Sequence, residues 1–546
     1  MQTQGAVRTP QSPNVPATPR PPRAIRDQLS LSNESQQFRS HVGQISRQSG
    51  VFFAGTIFTA AASYAFKVYL ARVLGAEVLG LYALGATLVG FIAIFDGLGL
   101  SESVVRYVPV YREAEKFREL HALLWSGSGI MLFSSIGSAA LLLLFGPGIA
   151  THFYHAPELR RYLPLFAAMM VCSGLSVFYG KTLVGYKQLA QRTMIINFMG
   201  VPLMMVLSIG LITAVGGLDA YLGAQVLSGL IILVLLILSV RALTPYPARF
   251  FAQPWARIPH EVWTFSGAVL GVGAMEFTIS QVDKVALGHF QGARQVGIYS
   301  VAAAMVAYVP LVLHSVNQIF CPTIADLHAR GEHAVLGRLF QSLTKWVVGL
   351  TLPMATVIIV FARPLMRIFG HEFEMGWPIL VIGTVGQLVN CGVGSVGYLL
   401  LMSGNEKRLI RVQALMTTVM IALSALLIPV WGIIGAAIAA AATNIGINVL
   451  NLWQVRRVLK ISPYNRSYVH LIAPSLAALA VAGVVRMNIP LLRHEWLAIG
   501  VASVLAYMVF ACVAVSFGLD ADDRLIGRAI WVRVRAALPQ WPGGVL

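Results

Sequence analysis

The chain has 546 residues, of which 57% are hydrophobic and only 11% are charged, and its mean hydropathy is +0.72. Soluble domains carry about 25% charged residues, so this composition excludes an ordinary soluble protein and indicates a membrane protein. The formal net charge of +18 at pH 7 also suits a nucleic-acid-binding protein. The basic residues cluster between apolar segments, however, which indicates a topological role for the charge and argues against a nucleic-acid partner.

Residues 1–48 differ from the rest of the chain. The stretch TPQSPNVPATPRPPR is rich in Pro, Ser and Thr, and the only acids of the tail are Asp27 and Glu34. Such a segment cannot bury a core, so we expect a disordered basic, Pro-rich cytoplasmic tail near lipid headgroups. Docking of the tail on a partner protein is left open. The tail leads straight into a full-length apolar run without a cleavage site, which argues against a signal peptide.

Fourteen apolar runs follow the tail, each close to the roughly 20 helical residues that cross about 30 Å of hydrocarbon. They occupy residues 50–70, 78–99, 122–145, 162–180, 193–215, 218–240, 262–288, 296–321, 339–361, 376–402, 409–429, 432–455, 469–486 and 495–518. The sequence therefore predicts an all-α polytopic membrane protein with about 14 transmembrane helices.

The 40 lysines and arginines are divided unevenly between the two sides of this predicted topology. With the N-terminus in the cytoplasm, 29 of them fall in the tails and inner loops and 8 in the outer loops. This bias follows the positive-inside rule and predicts that both termini are cytoplasmic. The basic inner surface also favours contact with anionic lipids of the inner leaflet.

An internal repeat links the two halves of the chain. The stretch KVYLARVLGAEVLGLY (67–82) returns as KVALGHFQGARQVGIY (284–299), with seven of the sixteen positions identical and no gap. Unrelated windows share about one or two positions, so the similarity indicates duplication. Gly75, Gly80, Gly292 and Gly297 suit tight outer turns and close helix packing through small residues.

The repeat predicts two six-helix lobes around a central cleft. Because six is even, both lobes enter the membrane from the same side and form a parallel repeat. The predicted order is a tail (1–48), an N-lobe (49–243), a cytoplasmic linker (244–261), a C-lobe (262–458), two additional spans (459–518) and a cytoplasmic C-terminal tail (519–546). Because each chain supplies both halves of its own cleft, we expect a monomer.

Three segments mix apolar and charged residues at helical spacing. They are residues 101–120, residues 323–338 and, with Trp531 as an anchor, residues 526–538. We expect these segments to lie along the cytoplasmic interface.

Four stretches carry a resemblance to a known family, namely ARVLGAEVLGLYAL (71–84), FDGLGLSESVVRYVPVYR (95–112), LVGYKQLAQRTMIIN (183–197) and LMSGNEKRLIRVQAL (401–415). In these stretches the chain resembles the polysaccharide and oligosaccharide flippases of the multidrug/oligosaccharidyl-lipid/polysaccharide (MOP) exporter superfamily. That family shows a Gly-rich first hairpin, followed by a Gly-Leu and Arg-Tyr pattern at the end of span 2. The likeness extends over about residues 49–460.

The resemblance implies alternating access between two lobes. It also implies transport of a polyprenyl-diphosphate-linked oligosaccharide from the inner to the outer leaflet of the bacterial inner membrane. The product would serve the biosynthesis of exopolysaccharide, O-antigen or capsule. Such a protein is a transporter rather than an enzyme, and its partners are the lipid-linked glycan, membrane lipids and other polysaccharide-assembly proteins.

Polar residues recur on one face of span 1 and on one face of span 7. They are Thr59, Ser63 and Lys67 in span 1, and Glu276, Ser280, Asp283 and Lys284 in span 7. Ionisable groups in a membrane are costly and therefore mark candidate functional sites. Lys67 and Lys284 correspond in the repeat, and two facing ammonium groups suit a diphosphate. The alternatives are that the lysines snorkel to the outer headgroups, or that Lys284 neutralises an acid.

Other polar residues are candidates for ion coupling or gating. Glu276, Asp283, His314 and Asp96 are titratable groups in or beside spans. The structural alternatives are that His314 is a hydrogen-bonded core residue, and that Asp96 caps a helix or forms an ion pair with Arg106. Asn317 is a further candidate for the cleft. Pro310 interrupts span 8 and predicts a break in that helix.

Two other functions remain open. An ion-coupled multidrug or cation antiporter of the same superfamily would have a cleft dominated by acids, whereas the two polar faces here carry two lysines and two acids. A membrane glycosyltransferase or polymerase would need more than the acidic stretch DAD at 520–522. The sequence offers no metal-ligand set and no G-x-x-x-x-G-K-[ST] phosphate loop, so we expect no cofactor and transport coupled to H⁺, Na⁺, the membrane potential or substrate flux.

Overall fold

The structure is a computed structural model that describes residues 23–245, 258–488 and 495–516. Helices account for nearly all of these residues, and no strand occurs among them. The long helices are α1 (Arg23–Ala93), α2 (Leu100–Glu113), α3 (Phe117–Phe153), α4 (Leu159–Gly185), α5 (Leu189–Ala214), α6 (Gly217–Leu243), α7 (His260–Gln291), α8 (Ala293–Val306), α9 (Leu311–Ala329), α10 (His333–Val360), α11 (His371–Val393), α12 (Glu406–Val458), α13 (Tyr468–Met487) and α14 (Glu495–Ser516). The predicted all-α class is confirmed.

The number of membrane-crossing segments also agrees with the sequence. Eleven helices of the described ranges are long and apolar enough to cross a membrane, and α8 with the start of α9 makes a twelfth, bent by 49°. Within α1 and α12 the backbone leaves the helical region at Gly75 and Gly432, so each of these helices contributes two arms. Counting the arms separately gives fourteen segments. The break before α9 contains Pro310, as expected for a residue without a backbone N–H.

The first hairpins of the two lobes turn in the same way. Gly75 has φ 77° and ψ 173°, and Gly292, at the corresponding position of the repeat, has φ 81° and ψ 175°. Side chains with a Cβ rarely adopt positive φ, so glycine permits this turn. We call the end of the molecule that holds Gly75 and Gly292 the hairpin end, and the opposite end, which holds α2, the tail end.

The apolar core is continuous at the hairpin end and divided at the tail end. One cluster joins both lobes and includes Leu84 of α1, Leu163 of α4, Val296 of α8 and Phe373 of α11. The tail ends have separate clusters. One is built mainly from α2, α3 and α6, with residues of α4 and the start of α7, and the other from α9, α10, α12 and residues 396–400. The core is therefore shared by both lobes at the hairpin end, whereas at the tail end the lobes meet through the start of α7, which packs on α2.

The amphipathic segment after span 2 is a helix, as predicted. It is α2, which ends at Glu113 rather than continuing to residue 120. Its buried face includes Val104, Val108 and Tyr111, and the Tyr111 hydroxyl donates to Glu261 of α7 at 2.7 Å. Burial, and next this hydrogen bond, raise the pKa of the Tyr111 phenol well above its ordinary range. The contact ties the start of α7 to the N-lobe.

Two predictions about segments outside the spans are wrong. Residues 23–48 are helical rather than disordered, because α1 begins at Arg23 and no proline interrupts it before Ala93. Residues 323–338 do not form a separate interfacial helix, since α9 extends to Ala329 and α10 begins at His333. The left-handed Gly331, with φ 73°, makes the turn between them.

Several predictions fall on residues outside the described ranges. They concern residues 1–22 of the tail, residues 246–257 of the linker, and the C-terminal tail with the amphipathic segment 526–538.

Candidate functional site

A cavity of about 640 Å³ lies between the two lobes. Both of the lysines that the repeat singles out line it, together with Ser280 and Asp283. Aromatic and amide side chains complete the wall, including Tyr82, Tyr221, Phe277 and Gln281. We call this space the lysine cavity.

The two lysines have different surroundings. The Lys67 side chain is exposed, and the described residues offer its ammonium group no hydrogen bond. The Lys284 ammonium donates to Oε1 of Gln281 at 2.7 Å. The two ammonium groups carry like charges and line the same cavity, so they repel each other. An anion between them would relieve that repulsion.

Asp283 lies at the wall of this cavity but is buried, with 6% of its surface exposed. One carboxylate oxygen accepts the Tyr299 hydroxyl at 2.5 Å, and the other accepts the backbone N–H of Lys284 at 2.8 Å. These bonds satisfy both oxygens, and the charge offsets the neighbouring Lys284. The hydrogen bonds of Asp283 therefore stabilise the hairpin of α7 and α8.

A second cavity of about 380 Å³ lies nearer the tail end. It is lined by Asp96, Ser101, Glu102, Ser173 and Gly174, among others. We call this space the aspartate cavity.

Both oxygens of Asp96 lie 2.8 Å from the Ser135 hydroxyl, which donates to the carboxylate. A Cβ at Gly174 would come within 2.5 Å of Asp96 Oδ2, so only glycine leaves room for the carboxylate there. Arg106, which the sequence suggested as an ion-pair partner for Asp96, has its guanidinium 4.8 Å from the ring centre of Phe265. Glu102 pairs with Lys181 at 2.7 Å.

The Phe277 side chain marks the boundary between the two cavities. Phe277 and Gly90 line both of them. A Cβ at position 90 would lie 2.6 Å from Cε2 of Phe277, so the ring rests on the bare backbone of α1. The ring therefore lies between the two cavities, against α1.

The hairpin end of the cleft is closed by direct backbone contact between the lobes. A Cβ at Gly80 would lie 1.7 Å from the carbonyl oxygen of Ala293, and a Cβ at Gly297 would lie 1.9 Å from that of Ala76. The small residues Ala76 and Gly80 of one copy of the repeat therefore pack against Ala293 and Gly297 of the other. No side chain fits between these arms.

A carboxylate reinforces this closure. Oε1 of Glu372 accepts the backbone N–H of Ala76 at 2.9 Å, at the start of the second arm of α1. Its other oxygen lies 3.9 Å from the Arg294 guanidinium. A carboxylate at a helix N-terminus is favourable, because it satisfies an unpaired N–H and interacts with the helix dipole. Glu372 thus connects the C-lobe to the N-lobe.

The remaining predicted residues do not line the lysine cavity. The Thr59 hydroxyl accepts a hydrogen bond from the Asn197 amide at 2.8 Å, within the N-lobe. Asn317 is buried in the C-lobe, where its amide oxygen accepts the Ser395 hydroxyl, so this oxygen is satisfied within the lobe. Ser63 is half-buried, and Glu276 and His314 are exposed.

Several residues that line the lysine cavity were not predicted from the sequence. Tyr82, Tyr221, Gln281 and Ser300 line the cavity without having been singled out. Tyr82 carried a signal, because it closes the first copy of the repeat as Tyr299 closes the second. Tyr221 lies 5.1 Å from the Tyr82 ring, a contact that no local pattern indicates.

The chain is similar in sequence to a known protein family. A family model described as "Polysaccharide biosynthesis protein" matches residues 69–375, which is more than half of the chain. The chain belongs to the polysaccharide biosynthesis protein family. A curated relative, an uncharacterized membrane protein of Methanocaldococcus jannaschii, is 19% identical over 402 residues, which are 71% of this chain and 79% of that protein.

Solved structures share the fold of this family member. The lipid II flippase MurJ, in an inward closed conformation, superposes with a TM-score of 0.65 at 16% identity, over 85% of this chain and 98% of that chain. An inward-facing multidrug resistance MATE family transporter of the MOP superfamily has a TM-score of 0.65 at 12% identity, over 74% and 94%. A MOP superfamily transporter from Pyrococcus furiosus has a TM-score of 0.56 at 12% identity, over 76% and 95%. The chain therefore shares the fold of these structures, two of which are MOP superfamily transporters.

Proposed function

We propose that this family member is a flippase for a polyprenyl-diphosphate-linked oligosaccharide. It would move the lipid-linked glycan from the inner to the outer leaflet of the bacterial inner membrane by alternating access, for polysaccharide biosynthesis. The observation that carries this proposal is the lysine cavity, where one lysine from each lobe faces the same space. The fold similarity to the lipid II flippase MurJ supports a lipid-linked substrate.

We place the tail end in the cytoplasm and the hairpin end outside, with both termini cytoplasmic. The excess of basic residues in the tails and inner loops supports this orientation. In it, the closed crossing of Gly80 and Gly297 seals the outer side. At the tail end α9, α10 and α12 share a separate core, so on opening they would move away from the N-lobe while the start of α7 stays bound to α2.

The two lysines would hold the diphosphate. A lysine ammonium is a compact donor for phosphate oxygens, and hydrogen bonds between charged groups are stronger than neutral ones. Tyr82, Tyr221 and Phe277 add aromatic surface to the same wall. The lysines lie eight residues before the turns at Gly75 and Gly292, in the outer half of the membrane. They would therefore bind the headgroup late in its passage.

Energy coupling is a separate part of the proposal. H⁺ or Na⁺ would act through Asp96, whose carboxylate faces the aspartate cavity. Glu276 and His314 are exposed titratable groups of the C-lobe and are secondary candidates. The working unit would be a monomer that delivers its glycan to other assembly proteins.

The test is transport by the full-length protein in proteoliposomes, with a fluorescent polyprenyl-diphosphate oligosaccharide. We expect Lys67→Ala/Lys284→Ala to reduce transport by about 100-fold or more, because two charge-assisted hydrogen bonds contribute about 1.5–3 kcal/mol each. The matched control is Lys116→Ala/Lys187→Ala, which removes two exposed lysines of the N-lobe's tail end. Normal transport in the first double variant would remove the diphosphate role.

The same vesicles distinguish the alternative of an ion-coupled cation antiporter. A cationic dye replaces the lipid-linked glycan as the transported compound. Dye transport driven by a proton or sodium gradient, without glycan transport, would replace the flippase proposal by the antiporter one. The fold similarity to a multidrug MATE transporter is the reason to include this arm.

A further inference from the structure

An arginine lies beyond the aspartate cavity, towards the tail end. Ser173 and Val177 of α4 line that cavity, and Gly180 continues the same helical face one turn further. A Cβ at Gly180 would lie 3.6 Å from Nε of Arg192. Arg192 therefore lies beside α4, about one turn further towards the tail end than the residues of α4 that line the aspartate cavity.

Among the described residues, none supplies a counter-charge to the guanidinium of Arg192. Its Nε is buried and has no hydrogen-bond acceptor. The part of the chain that the structure describes places no carboxylate within salt-bridge distance of it. By contrast, Lys181 and Lys187, on the same stretch of chain, are paired with Glu102 and Glu113. An arginine that is half-buried and unpaired is costly unless an anion visits it.

The backbone around Arg192 is held in place. It lies in the first turn of α5, and five residues later the Asn197 amide donates to Thr59 of α1 at 2.8 Å. The rings of Phe58 and Phe198 stack at 5.4 Å in the same contact. The arginine is thus presented from a fixed helix beside α1, the helix that carries Lys67.

We propose that Arg192 is the loading site for the diphosphate headgroup as it arrives from the inner leaflet. This inference rests on the proposed flippase function and deepens it. A guanidinium binds phosphate oxygens through two parallel N–H groups, which suits capture of a diphosphate at a membrane surface. The headgroup would then pass the Phe277 ring and reach Lys67 and Lys284. Capture and retention are therefore assigned to different residues.

The experiment measures binding of a sugar-free polyprenyl diphosphate to the full-length protein in phosphatidylcholine nanodiscs, where no anionic lipid competes. We expect Arg192→Gln to slow association by about tenfold, because a cation at an entrance acts mainly on the association rate. Arg192→Lys keeps the charge but loses bidentate geometry, so we expect a loss of about two- to fivefold. Lys187→Gln, at an exposed lysine that is already paired, is the control.

The lysine variants distinguish this inference from the proposed function. We expect Lys67→Ala/Lys284→Ala to speed dissociation while the association rate stays within about twofold. If wild-type protein binds the diphosphate and both Arg192 variants associate at the wild-type rate, the loading role is wrong and the flippase proposal stands. If wild-type protein binds no polyprenyl diphosphate, both proposals fail.

Discussion

The first hairpins of the two lobes have the same backbone turn but different side-chain interactions around it. Their turns at Gly75 and Gly292 agree within 4° in φ, by the values 77° and 81°. Around the turns the side chains have diverged. The repeat aligns buried Asp283 with Phe66, which is equally buried at 6%. Asp283 accepts the Tyr299 hydroxyl, whereas the Phe66 ring lies 6.0 Å from that of Tyr69.

The comparison teaches that duplication preserves what the backbone requires and leaves the partners free to change. Glycine at the turn and small residues at the lobe crossing are needed in both copies, since a Cβ would clash or be strained. The lysine is present in both copies, but only Lys284 has a hydrogen-bond partner on its own helix. Each lobe thus contributes a lysine to the cleft, but the Lys284 ammonium is held by Gln281 and the Lys67 ammonium is not.

The strongest test of this equivalence is a substitution at the lobe crossing. We expect Gly80→Leu and Gly297→Leu to prevent closure at the hairpin end to a similar extent, because each side chain would meet backbone of the other lobe. Overpacking costs about 1–3 kcal/mol, which shifts the population of the closed state by about five- to 150-fold. Labelling of a cysteine at Ser300 from the hairpin side measures that shift.

The control for this test is Gly210→Ala, because a Cβ at that position meets nothing within 4 Å. Labelling in the Gly80 or Gly297 variant that stays at the control level would show that the crossing does not close the cleft.

The hydrogen bond between Asp283 and Tyr299 occurs in the second copy of the repeat and has no counterpart in the first, where Phe66 replaces the aspartate. A double-mutant cycle with Asp283→Asn and Tyr299→Phe should give a coupling free energy of about 1–3 kcal/mol, because the bond is buried. In the first copy, Tyr82→Phe and Gln225→Leu provide the matched cycle, since their hydrogen bond of 3.1 Å is less buried. Unfolding in detergent measures both. Equal coupling in the two cycles would contradict the proposed difference.

Glu372 caps the second arm of α1, and the corresponding start of α8 has no side-chain cap. We expect Glu372→Gln to lower the free energy of unfolding by about 1 kcal/mol, through loss of the charge at that helix N-terminus. Thermal unfolding in detergent gives the change. A matched substitution, Glu495→Gln, removes a carboxylate of the hairpin end that contacts Arg367 rather than the start of α1's second arm. The cap role fails if both variants melt at the same temperature.

The smallest effect belongs to an exposed ion pair at the hairpin end. Arg367 lies 3.0 Å from Glu374, and this contact lowers the pKa of the Glu374 carboxyl below its ordinary 4.5. A depressed folded-state pKa stabilises the protein above the unfolded pKa and is lost as pH falls through the folded value. We expect Glu374→Gln to lower the melting temperature slightly at pH 7 and not at pH 3, since exposed pairs contribute about 0–1 kcal/mol. An equal effect at both pH values would contradict this assignment.

Much of the fold could be predicted from the sequence. The fourteen segments, the parallel repeat, the turn glycines and the break at Pro310 each depend on local composition or backbone sterics. The helical extension of α1 to Arg23 was missed because a Pro-rich stretch before it dominated the composition of residues 1–48. A helix that starts inside a span can propagate through polar residues wherever proline is absent.

The candidate site was predicted in part. The repeat identified Lys67 and Lys284, and the structure brings both to one cavity. It did not reveal that Thr59 and Asn317 are satisfied by Asn197 and Ser395, because a polar residue on a helical face can bond within its own lobe. From the sequence, Arg192 is one of the 29 basic residues of the predicted tails and inner loops, and no local pattern distinguishes it from the others.

The sequence by itself determined how many times the chain crosses the membrane, where it turns and which residues recur in both lobes. These features depend on hydration of apolar segments and on backbone sterics, which act between residues close in the chain. Only the tertiary structure decided that Gly80 packs on Ala293, that Glu372 caps Ala76 from 296 residues away, and that the lysines share a cavity. Those contacts depend on how complementary helix surfaces pack, which no local pattern specifies.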